Sequence, residues 1–380
     1  MAHLSPKLLI LISNGSFFLS HRLPVARAAR EAGFEVAVAC PKDASRGEIL
    51  AHGFSHLSFA MRRRGSTIFS EIATLIGMAR AIRAFRPDII HLVTSKPIIY
   101  GGVLARMLGI PAVSSISGLG HVFIGKGLKL ALMRVLVVVG YRLSLSRRRS
   151  IAIFQNNSDL GLFRKLGIVR EGGFCLIPGS GVDLSAIRPA PLPAGPTVVA
   201  LPARLLRDKG VVEFVEASRI LRSEGADCAF RLIGDLDPGN PTSVTPQELA
   251  RWEAEGVVEV YPYTRDVGAA LACCHIVALP SYREGFPKTL IDAAAAGRAC
   301  ATTDVPGCRD AVIDGQTGVL FPARDSKAMA EALRPLIASR RRQAAMGAAA
   351  RAHAEAHFAI GDVVNRNLAI YRQLMAMAVE

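Results

Sequence analysis

The sequence predicts an α/β protein with two doubly wound parallel-sheet domains, and three observations support this. Its 380 residues are 51% hydrophobic, which is enough to bury two cores. Short β-branched segments alternate with Ala-, Leu- and Arg-rich segments that end at Gly, as buried parallel strands joined by helices do. A segment with four prolines in nine residues, 188–196 (RPAPLPAGP), divides this pattern into two halves of similar length.

Each half contains six predicted strands. Those of the first half are, in order, KLLILIS, EVAVAC, DIIHLVT, PAVSSIS, SIAIFQN and FCLIPGS. Those of the second are TVVALPAR, AFRLIGD, VVEVYPY, HIVALPS, ACATTD and GVLFP, with helices such as VVEFVEASRILRSEG between them. We therefore predict Rossmann-like domains over 1–187 and 197–360, a linker over 188–196, and a C-terminal helix over 361–380 that can pack back on the first domain. Two such domains would place a cleft between the carboxyl ends of their sheets.

The positive charge of the chain lies in its first half. Residues 1–190 contain 25 Lys and Arg against nine Asp and Glu, whereas residues 191–380 contain 21 against 22. A basic half predicts an anionic membrane, a phosphorylated substrate or nucleic acid as partner. Basic residues concentrate at 61–65 (MRRRG) and over 128–150, where they surround a short apolar segment. The second stretch is equally consistent with an interfacial element and with a core helix that has a solvated end.

The composition also excludes several classes of protein. Seven cysteines without paired spacing argue against a disulfide framework or a zinc ribbon, and favour reduced thiols in the cytoplasm. No segment has the roughly 18 apolar residues that a membrane-spanning helix needs, so we expect a soluble or peripheral protein. The sequence has no Asp-rich metal motif, and we expect no metal.

Two acids eight positions apart stand out in the segment 281–297 (SYREGFPKTLIDAAAAG). Glu284 falls in the loop after the strand HIVALPS, and Asp292 falls about one and a half turns into the helix that starts near Pro287. The free N–H groups of a helix start favour a diphosphate, and carboxylates accept hydrogen bonds from sugar hydroxyls. The alternative is that Glu284 caps the helix and Asp292 is a surface acid, and the spacing alone favours this alternative.

Two cations follow the first strand of the second domain. Arg204 and Lys209 lie in the segment 200–210 (ALPARLLRDKG), where they could neutralise a leaving pyrophosphate without a metal. The alternative is an ordinary basic turn. Each of the two motifs is weak when it is taken by itself.

In this order the two motifs resemble the retaining glycosyltransferases of family four, which have the GT-B fold. The resemblance rests on Arg204 with Lys209, on 231–241 (RLIGDLDPGNP) and on 279–325, and it covers most of the second domain. The first domain is more loosely similar to members that extend lipid-diphosphate-linked oligosaccharides in bacterial surface-glycan pathways. That similarity lies in 14–41, 91–123 and 153–163.

The resemblance implies roles for residues of the donor site. Glu284, the first acid of the E-x7-E motif, would face the transferred sugar, and Arg204 and Lys209 would hold the leaving diphosphate. Asp292 stands where the family has its second glutamate, which binds the ribose; it is one methylene shorter, so this contact is less secure. The other donor-site residues implied are Gly234, Gly285, Phe286, Pro287, Lys288 and Thr289, with backbone N–H groups of Gly285, Phe286 and Lys288 near the sugar and phosphates.

The resemblance also implies roles in the first domain. Gly15 would let backbone approach the donor or acceptor, although a turn glycine would look the same. Ser16 and His21 would contact the acceptor, although His21 could equally begin the first helix. His121 would be a catalytic histidine beside the reacting sugar and acceptor, with an ordinary loop residue as the alternative.

The expected activity is that of a hexosyltransferase. It would move a sugar from a nucleotide-sugar donor, most simply a UDP-sugar, with retention to a lipid-linked glycan acceptor in polysaccharide, lipopolysaccharide or glycoprotein-glycan assembly. No cofactor or metal is expected, and the protein would act at the cytoplasmic face of the inner membrane. Two alternatives stay open: a nucleotide-sugar epimerase, which needs no acceptor, and a nucleic-acid-binding protein. The second lacks an aromatic platform, with 6% aromatic residues, and lacks a helix-turn-helix signal.

Overall fold

The computed structural model describes residues 5–62, 67–119, 123 and 127–377, with the side chains of 128–130 left out. The chain divides into two compact units, residues 1–180 together with 361–380, and residues 181–360. Each unit is built on a parallel sheet covered by helices, which confirms the predicted fold class.

The first unit contains a seven-stranded parallel sheet in the order β3-β2-β1-β4-β5-β6-β7. Its strands are β1 (Lys7–Ile12), β2 (Glu35–Cys40), β3 (Ser55–Ser58), β4 (Ile89–Val93), β5 (Ala112–Ile116), β6 (Ser150–Phe154) and β7 (Phe174–Leu176). Its helices are α1 (Gly15–His21), α2 (Leu23–Glu31), α3 (Arg46–Ala51), α4 (Ile68–Phe85), α5 (Gly102–Met107), α6 (Leu128–Leu145) and α7 (Asn157–Lys165). A short π-helical turn, Pro97–Gly101, leads into α5.

Helices cover both faces of this first sheet. Residues 8–12 of β1 are fully buried, as are most residues of β2 and β4, which explains why these strands are continuous apolar segments without alternation. The chain order makes α1 to α3 lie on one face and α4 to α6 on the other, because parallel strands are joined by right-handed crossovers.

The second unit contains a six-stranded parallel sheet in the order β10-β9-β8-β11-β12-β13. Its strands are β8 (Thr197–Pro202), β9 (Cys228–Ile233), β10 (Glu259–Tyr261), β11 (Ile276–Leu279), β12 (Ala299–Thr303) and β13 (Gly318–Phe321). Its helices are α8 (Val211–Ser223), α9 (Pro246–Ala254), α10 (Val267–Ala272), α11 (Lys288–Ala295), α12 (Cys308–Ala311), α13 (Ser326–Ile337) and α14 (Arg340–His357). A 3-10 turn, Arg207–Lys209, precedes α8.

The proline-rich segment 188–196 belongs to the second unit. The division between the units falls at residues 180 and 181, ahead of the segment that we predicted as a linker. Pro193 accepts hydrogen bonds on its carbonyl from His275 and Arg340, both at 3.0 Å, and Arg298 donates to Pro191 at 3.3 Å. These long-range bonds fix the segment on its own unit.

The C-terminal helix α15 (Ile360–Ala376) joins the first unit from residue 361 onward. Its buried Tyr371 hydroxyl hydrogen-bonds Nδ1 of His91 in β4 at 2.5 Å, and Nε2 of the same ring bonds Ser115 in β5 at 2.8 Å. A buried polar group is costly unless it is paired, so this chain of bonds specifies where the helix docks.

The apolar and basic stretch 128–150 contains a packed helix with a basic end. Tyr141 and Leu145 of α6 enter the core, while Arg142 donates to the Leu166 carbonyl at 3.0 Å and Arg147 donates to the Ala105 carbonyl at 2.9 Å. These arginines satisfy carbonyls at the ends of neighbouring helices. Over the described residues, no helix is both long and apolar enough to cross a membrane.

Candidate active site

The candidate active site lies at the carboxyl edge of the second sheet, where ligands of doubly wound folds bind. The loop after β8 contains Arg204 and the turn Arg207–Lys209, and the loop after β11 leads through Glu284 into α11. Since β8 and β11 are neighbours in the sheet, the two loops emerge side by side.

Lys209 and Glu284 form an ion pair between these two loops. The ammonium group of Lys209 donates to Oε1 of Glu284, which also accepts from the Ser281 hydroxyl at 2.7 Å. The Glu284 side chain is only 14% exposed and that of Lys209 is 24% exposed, so the pair is partly shielded from water. A pair in this environment interacts more strongly with an arriving ion than an exposed pair does.

Gly307 holds the backbone of Glu284 in place. This glycine has a φ of 84°, and a Cβ added there would lie 2.5 Å from the Glu284 carbonyl oxygen and 2.8 Å from that of Gly285. The Glu284 N–H donates to the Pro306 carbonyl at 3.2 Å. The segment 306–307 therefore supports the loop that presents the acid.

The start of α11 points its first N–H groups out of the helix. Pro287 is the N-cap residue, and its ring has no group that could accept from the first turn. Thr289 donates its hydroxyl to the Pro202 carbonyl at 3.0 Å, which ties α11 to the end of β8. A helix start without a side-chain cap is suited to bind an anion.

Asp292 is buried rather than displayed as a free carboxylate. Its side chain is 5% exposed, and Lys288 donates to its Oδ1 at 2.6 Å across one turn of α11. Burial raises the pKa of the Asp292 carboxyl, and the Lys288 ammonium lowers it part of the way back.

Arg204 is paired with an acid that the sequence analysis did not single out. Its Nη1 donates to Oδ2 of Asp237 at 2.8 Å, and Arg204 stays 59% exposed. Gly234, at the end of β9, lies against the Ala203 carbonyl so closely that any side chain would collide with it. The loops after β8 and β9 are thereby held together beside Arg204.

Two further donor-site residues have mainly packing contacts. Phe286 is buried and meets the ring of Phe358 edge-to-face, with centroids 5.4 Å apart. Gly285 lies next to Gly307, as described above. The Phe286 side chain is therefore used in packing.

Three residues that lie next to the predicted site residues were not predicted from the sequence. Ser281 lies three residues before Glu284, a spacing that could have suggested a loop contact. Arg324 has a φ of 62° and stacks over the ring of Tyr282 at 4.3 Å, adding a cation at the exit of β13. Burial, together with the nearby Glu284 carboxylate, raises the pKa of the Cys308 thiol to about 12, so this thiol stays protonated.

The predicted residues of the first unit follow β1. The Asn14 side chain accepts from the N–H groups of Ser16 at 2.7 Å and of Phe17 at 3.3 Å, so it caps α1. A Cβ at Gly15 would overlap the hydroxyl of Ser45, so a larger residue there would have to displace this side chain. His21 lies in the last turn of α1, stacked on Phe17 with centroids 4.0 Å apart and bonded to the Ser20 hydroxyl at 2.7 Å.

Thr94 marks the carboxyl edge of the first sheet. Its φ is 74°, a strained value for a β-branched residue, and its hydroxyl donates to that of Ser13 at 2.8 Å. The ends of β1 and β4 are thus joined next to Gly15. His121, predicted as a catalytic residue, lies outside the described residues.

The arrangement in the second unit can bind an anion between two cations and a helix start, with one carboxylate close by. Within the part of the chain that the structure describes, no three His, Cys, Asp or Glu side chains form a group that could hold a metal ion. The structure brings Lys209 and Glu284 into contact with each other. Arg204 pairs instead with Asp237, and Asp292 pairs with Lys288.

Two parallel-sheet α/β units of this kind define a protein of the GT-B fold class. Residues 7–156 match the family described as "Glycosyl transferase 4-like", and residues 196–339 match "Glycosyl transferases group 1". The chain belongs to these glycosyltransferase families and is a hexosyltransferase, which confirms the resemblance seen in the sequence. Both descriptions are of transferases, which does not favour the epimerase alternative.

Similar proteins are known over nearly the whole chain. The N,N'-diacetylbacillosaminyl-diphospho-undecaprenol alpha-1,3-N-acetylgalactosaminyltransferase of Campylobacter jejuni is 27% identical over 342 residues, covering 84% of this chain and 88% of the relative. The structure of sucrose-phosphate synthase from Thermosynechococcus elongatus has a TM-score of 0.82 at 19% identity, covering 98% of this chain and 100% of that one. HepE of Anabaena in complex with UDP and glucose has a TM-score of 0.78 at 19% identity, covering 97% and 99%. These structures share the fold.

Proposed function

We propose that the protein transfers a sugar from a nucleotide-sugar, most simply a UDP-sugar, with retention of anomeric configuration to a lipid-diphosphate-linked glycan. The observation that carries the proposal is the meeting of Lys209, Glu284 and the uncapped start of α11 at the carboxyl edge of the second sheet. The name of the Campylobacter relative supports the acceptor class, and the UDP complex of HepE supports the base.

The donor diphosphate would bind against Lys209 and the first N–H groups of α11. Its negative charge would compete with Glu284 for the Lys209 ammonium, and Arg204, which is largely exposed, can turn from Asp237 toward the same phosphates. Positive groups fixed in place before the reaction stabilise charge that develops on the leaving diphosphate. The Glu284 carboxylate would then accept from a hydroxyl of the sugar.

The proposed reaction exchanges one bond at the anomeric carbon. The bond to the diphosphate oxygen breaks and its electron pair leaves with the nucleoside diphosphate, while an acceptor hydroxyl oxygen forms the new bond. Retention without a covalent intermediate requires the acceptor to approach from the face that the diphosphate leaves, so the departing phosphate oxygen is the base that takes the acceptor proton. Arg204 and Lys209 would supply the charge that a metal supplies elsewhere.

Asp292 has a narrower role in this proposal than a freely exposed acid would have. Lys288 occupies one of its carboxylate oxygens, so a ribose hydroxyl could reach only the other oxygen or would have to displace Lys288. We expect the ribose contact to contribute less to donor affinity than the phosphate contacts do.

The experiment is a transfer assay with UDP-GalNAc, UDP-GlcNAc, UDP-glucose and GDP-mannose, and with a short-chain prenyl-diphosphate-linked sugar as acceptor. Mass spectrometry would detect the extended acceptor, and the anomeric proton coupling in its NMR spectrum would give the stereochemistry. A product with the anomeric configuration of the donor is expected from one nucleotide class. An inverted product would contradict retention, and an altered sugar released without acceptor would favour an epimerase.

A further inference from the structure

One layer of the first unit exposes apolar side chains on two helices. On α4 the exposed side chains are Ile68, Phe69, Ile72, Leu75 and Ile76, and Phe69 is 84% exposed. On α6 they are Leu132, Met133, Val135, Leu136, Val139 and Leu143, and Leu136 is 67% exposed. We call these side chains together the α4–α6 surface. Apolar patches of this kind on a soluble protein mark contact with a partner or a membrane.

Both helices pack against the same segment. The turn Pro97–Gly101 accepts a hydrogen bond at Ile98 from Ser144 of α6 at 2.7 Å, and its Tyr100 donates to Glu71 of α4 at 2.6 Å. Ile99 of this turn packs against Gly140 of α6. Helices α4 and α6 are therefore joined through a turn whose Ile99 and Tyr100 side chains are half-buried.

The α4–α6 surface is strongly basic where it is polar. Helices α4, α5 and α6 and the turn before α5 contain a single acid in their sequences, Glu71, and this acid is ion-paired with Lys96 at 2.6 Å. The same elements contain five arginines and a lysine. In α4 the exposed apolar residues occupy the first half, and exposed Arg80 and Arg83 occupy the second half. We call the exposed apolar residues in the first half of α4, Ile68 to Ile76, the apolar tip. Next to the exposed arginines of the second half, this tip complements an anionic lipid surface.

The apolar tip is attached to the edge of the sheet that carries Gly15. Lys96, three residues after the end of β4, donates to the Arg62 carbonyl at 2.8 Å and to Glu71 in the first turn of α4. Two residues earlier, Thr94 bonds Ser13 at the end of β1. A membrane bound to the tip would therefore lie beside the carboxyl ends of β1 and β4.

A groove in the same layer suits an acyl chain. It has a volume of about 430 Å³ and is lined by Ser58 and Phe59 at and just after the end of β3, and by Ala73, Ile76 and Arg80 of α4. The lining is mainly apolar, and the Arg80 guanidinium in it would meet a lipid phosphate.

We propose that the α4–α6 surface docks the protein on a bilayer that contains anionic phospholipid. The proposal rests on the proposed function, since it supplies the route by which a lipid-linked acceptor reaches the first unit. A second copy of the chain is disfavoured as the occupant because two basic surfaces would repel each other. An acidic protein is a different occupant, and a chain that binds neither neutral nor anionic vesicles would favour it over a bilayer.

The experiment is flotation of the full chain with vesicles of phosphatidylcholine alone and with about one third phosphatidylglycerol. We expect binding only to the anionic vesicles, and weaker binding when the salt is raised to about 0.5 M, where charges are screened. The double variants Phe69→Ser/Ile72→Ser and Leu132→Ser/Leu136→Ser should each bind about tenfold less. Leu50→Ser, an exposed leucine of α3 on the opposite face of the sheet, should bind like the native chain.

Several results would overturn the docking proposal. They are no binding to anionic vesicles, equal binding to neutral vesicles, or unchanged binding of both double variants. A concentration-dependent dimer that the variants abolish would show that a second copy covers the surface instead. Arg80→Gln/Arg83→Gln, which keeps the apolar tip, should lose most of the salt-dependent part of binding. UDP affinity, measured on the same variants without vesicles, should not change. Failure of the nucleotide site would appear in that measurement and failure of docking in flotation.

Discussion

Lys209 and Glu284, 75 positions apart in the chain, meet as an ion pair at the ends of two neighbouring strands. Ser281 donates to the same carboxylate oxygen, so the acid is held from two directions. An anion that binds Lys209 must compete with Glu284. The acid therefore opposes phosphate binding while it orients the cation, and its two effects can be separated by substitution.

Glu284→Gln should leave nucleotide binding intact while abolishing transfer. Removing the carboxylate charge frees the Lys209 ammonium, so the affinity for UDP should be equal or tighter. Transfer should fall by about 100-fold or more, because a neutral amide replaces the negative charge beside the reacting sugar. Calorimetry with UDP and a single-turnover transfer assay would measure the two effects. Loss of UDP binding in Glu284→Gln would contradict this assignment.

Gly307→Ala should weaken both the fold and the site. A Cβ at this position would lie 2.5 Å from the Glu284 carbonyl oxygen, which is closer than van der Waals contact. The left-handed φ of 84° also disfavours alanine. We expect a loss of stability of about 2–4 kcal/mol, of which the backbone contributes about 1–2 kcal/mol. UDP affinity should fall as well, since the shifted segment 284–287 leads directly into α11, whose first N–H groups face the phosphates in the proposed site.

Gly315→Ala is the matched control for that substitution. Gly315 has a similar φ of 73°, but among the described residues a Cβ there meets no heavy atom within 4 Å. This variant should show the backbone cost alone, with UDP affinity unchanged. Equal thermal shifts and equal UDP affinities for the two variants would mean that Gly307 does not support the site.

His275 should make the second unit less stable in acid. Its Nδ1 accepts from the Val198 N–H at 2.9 Å and its Nε2 donates to the Pro193 carbonyl, so the buried ring is neutral. Burial, and then the neighbouring arginines, lower its pKa to about 4. Because this is below the value of about 6.5 in an unfolded chain, its contribution is complete above pH 6.5 and is lost as the pH falls toward 4.

Thermal unfolding from pH 7.5 down to 4.5 would measure this loss. His275→Gln should have a lower melting temperature near neutral pH and a flatter decline in acid than the native chain. His52→Gln, a change in the first unit, should keep the native decline. Parallel curves for the native chain and His275→Gln would show that the histidine does not resist protonation.

Chelation should not reduce transfer. In the proposed site Lys209 and Arg204 neutralise the leaving diphosphate, so no divalent ion is needed. Initial rates in EDTA and in MgCl2 should agree after the EDTA-treated enzyme has been passed through a desalting column. A rate that is lost in EDTA and returns with Mg²⁺ would contradict the assignment of these cations.

The alternation of strands and helices could be predicted because buried parallel strands leave a local signal. HIVALPS contains β11, and the helix predicted to start near Pro287 begins at Lys288. The fate of the proline-rich segment could not be predicted, since the bonds that attach it to the second unit come from residues far along the chain, such as Arg340.

The side-chain partners within the site were also beyond the sequence. The spacing of Glu284 and Asp292 gave no means of telling whether Asp292 faces a ligand or pairs with Lys288 one turn earlier. Similarly, Asp237 gave no sign that it holds Arg204, because the contact depends on how the loops after β8 and β9 pack. Local pattern determines the elements, whereas loop packing determines the pairs.

The measurement that tests the central claim most directly is binding of UDP, GDP, ADP and dTDP to the native chain, to Lys209→Ala and to Lys327→Ala. Lys327 is an exposed lysine of the second unit in the first turn of α13, so it matches the charge change away from the site. The account predicts that one nucleoside diphosphate, most simply UDP, binds the native chain and Lys327→Ala equally, and binds Lys209→Ala at least tenfold more weakly. Equal binding by all three proteins, or no binding by the native chain, would contradict it.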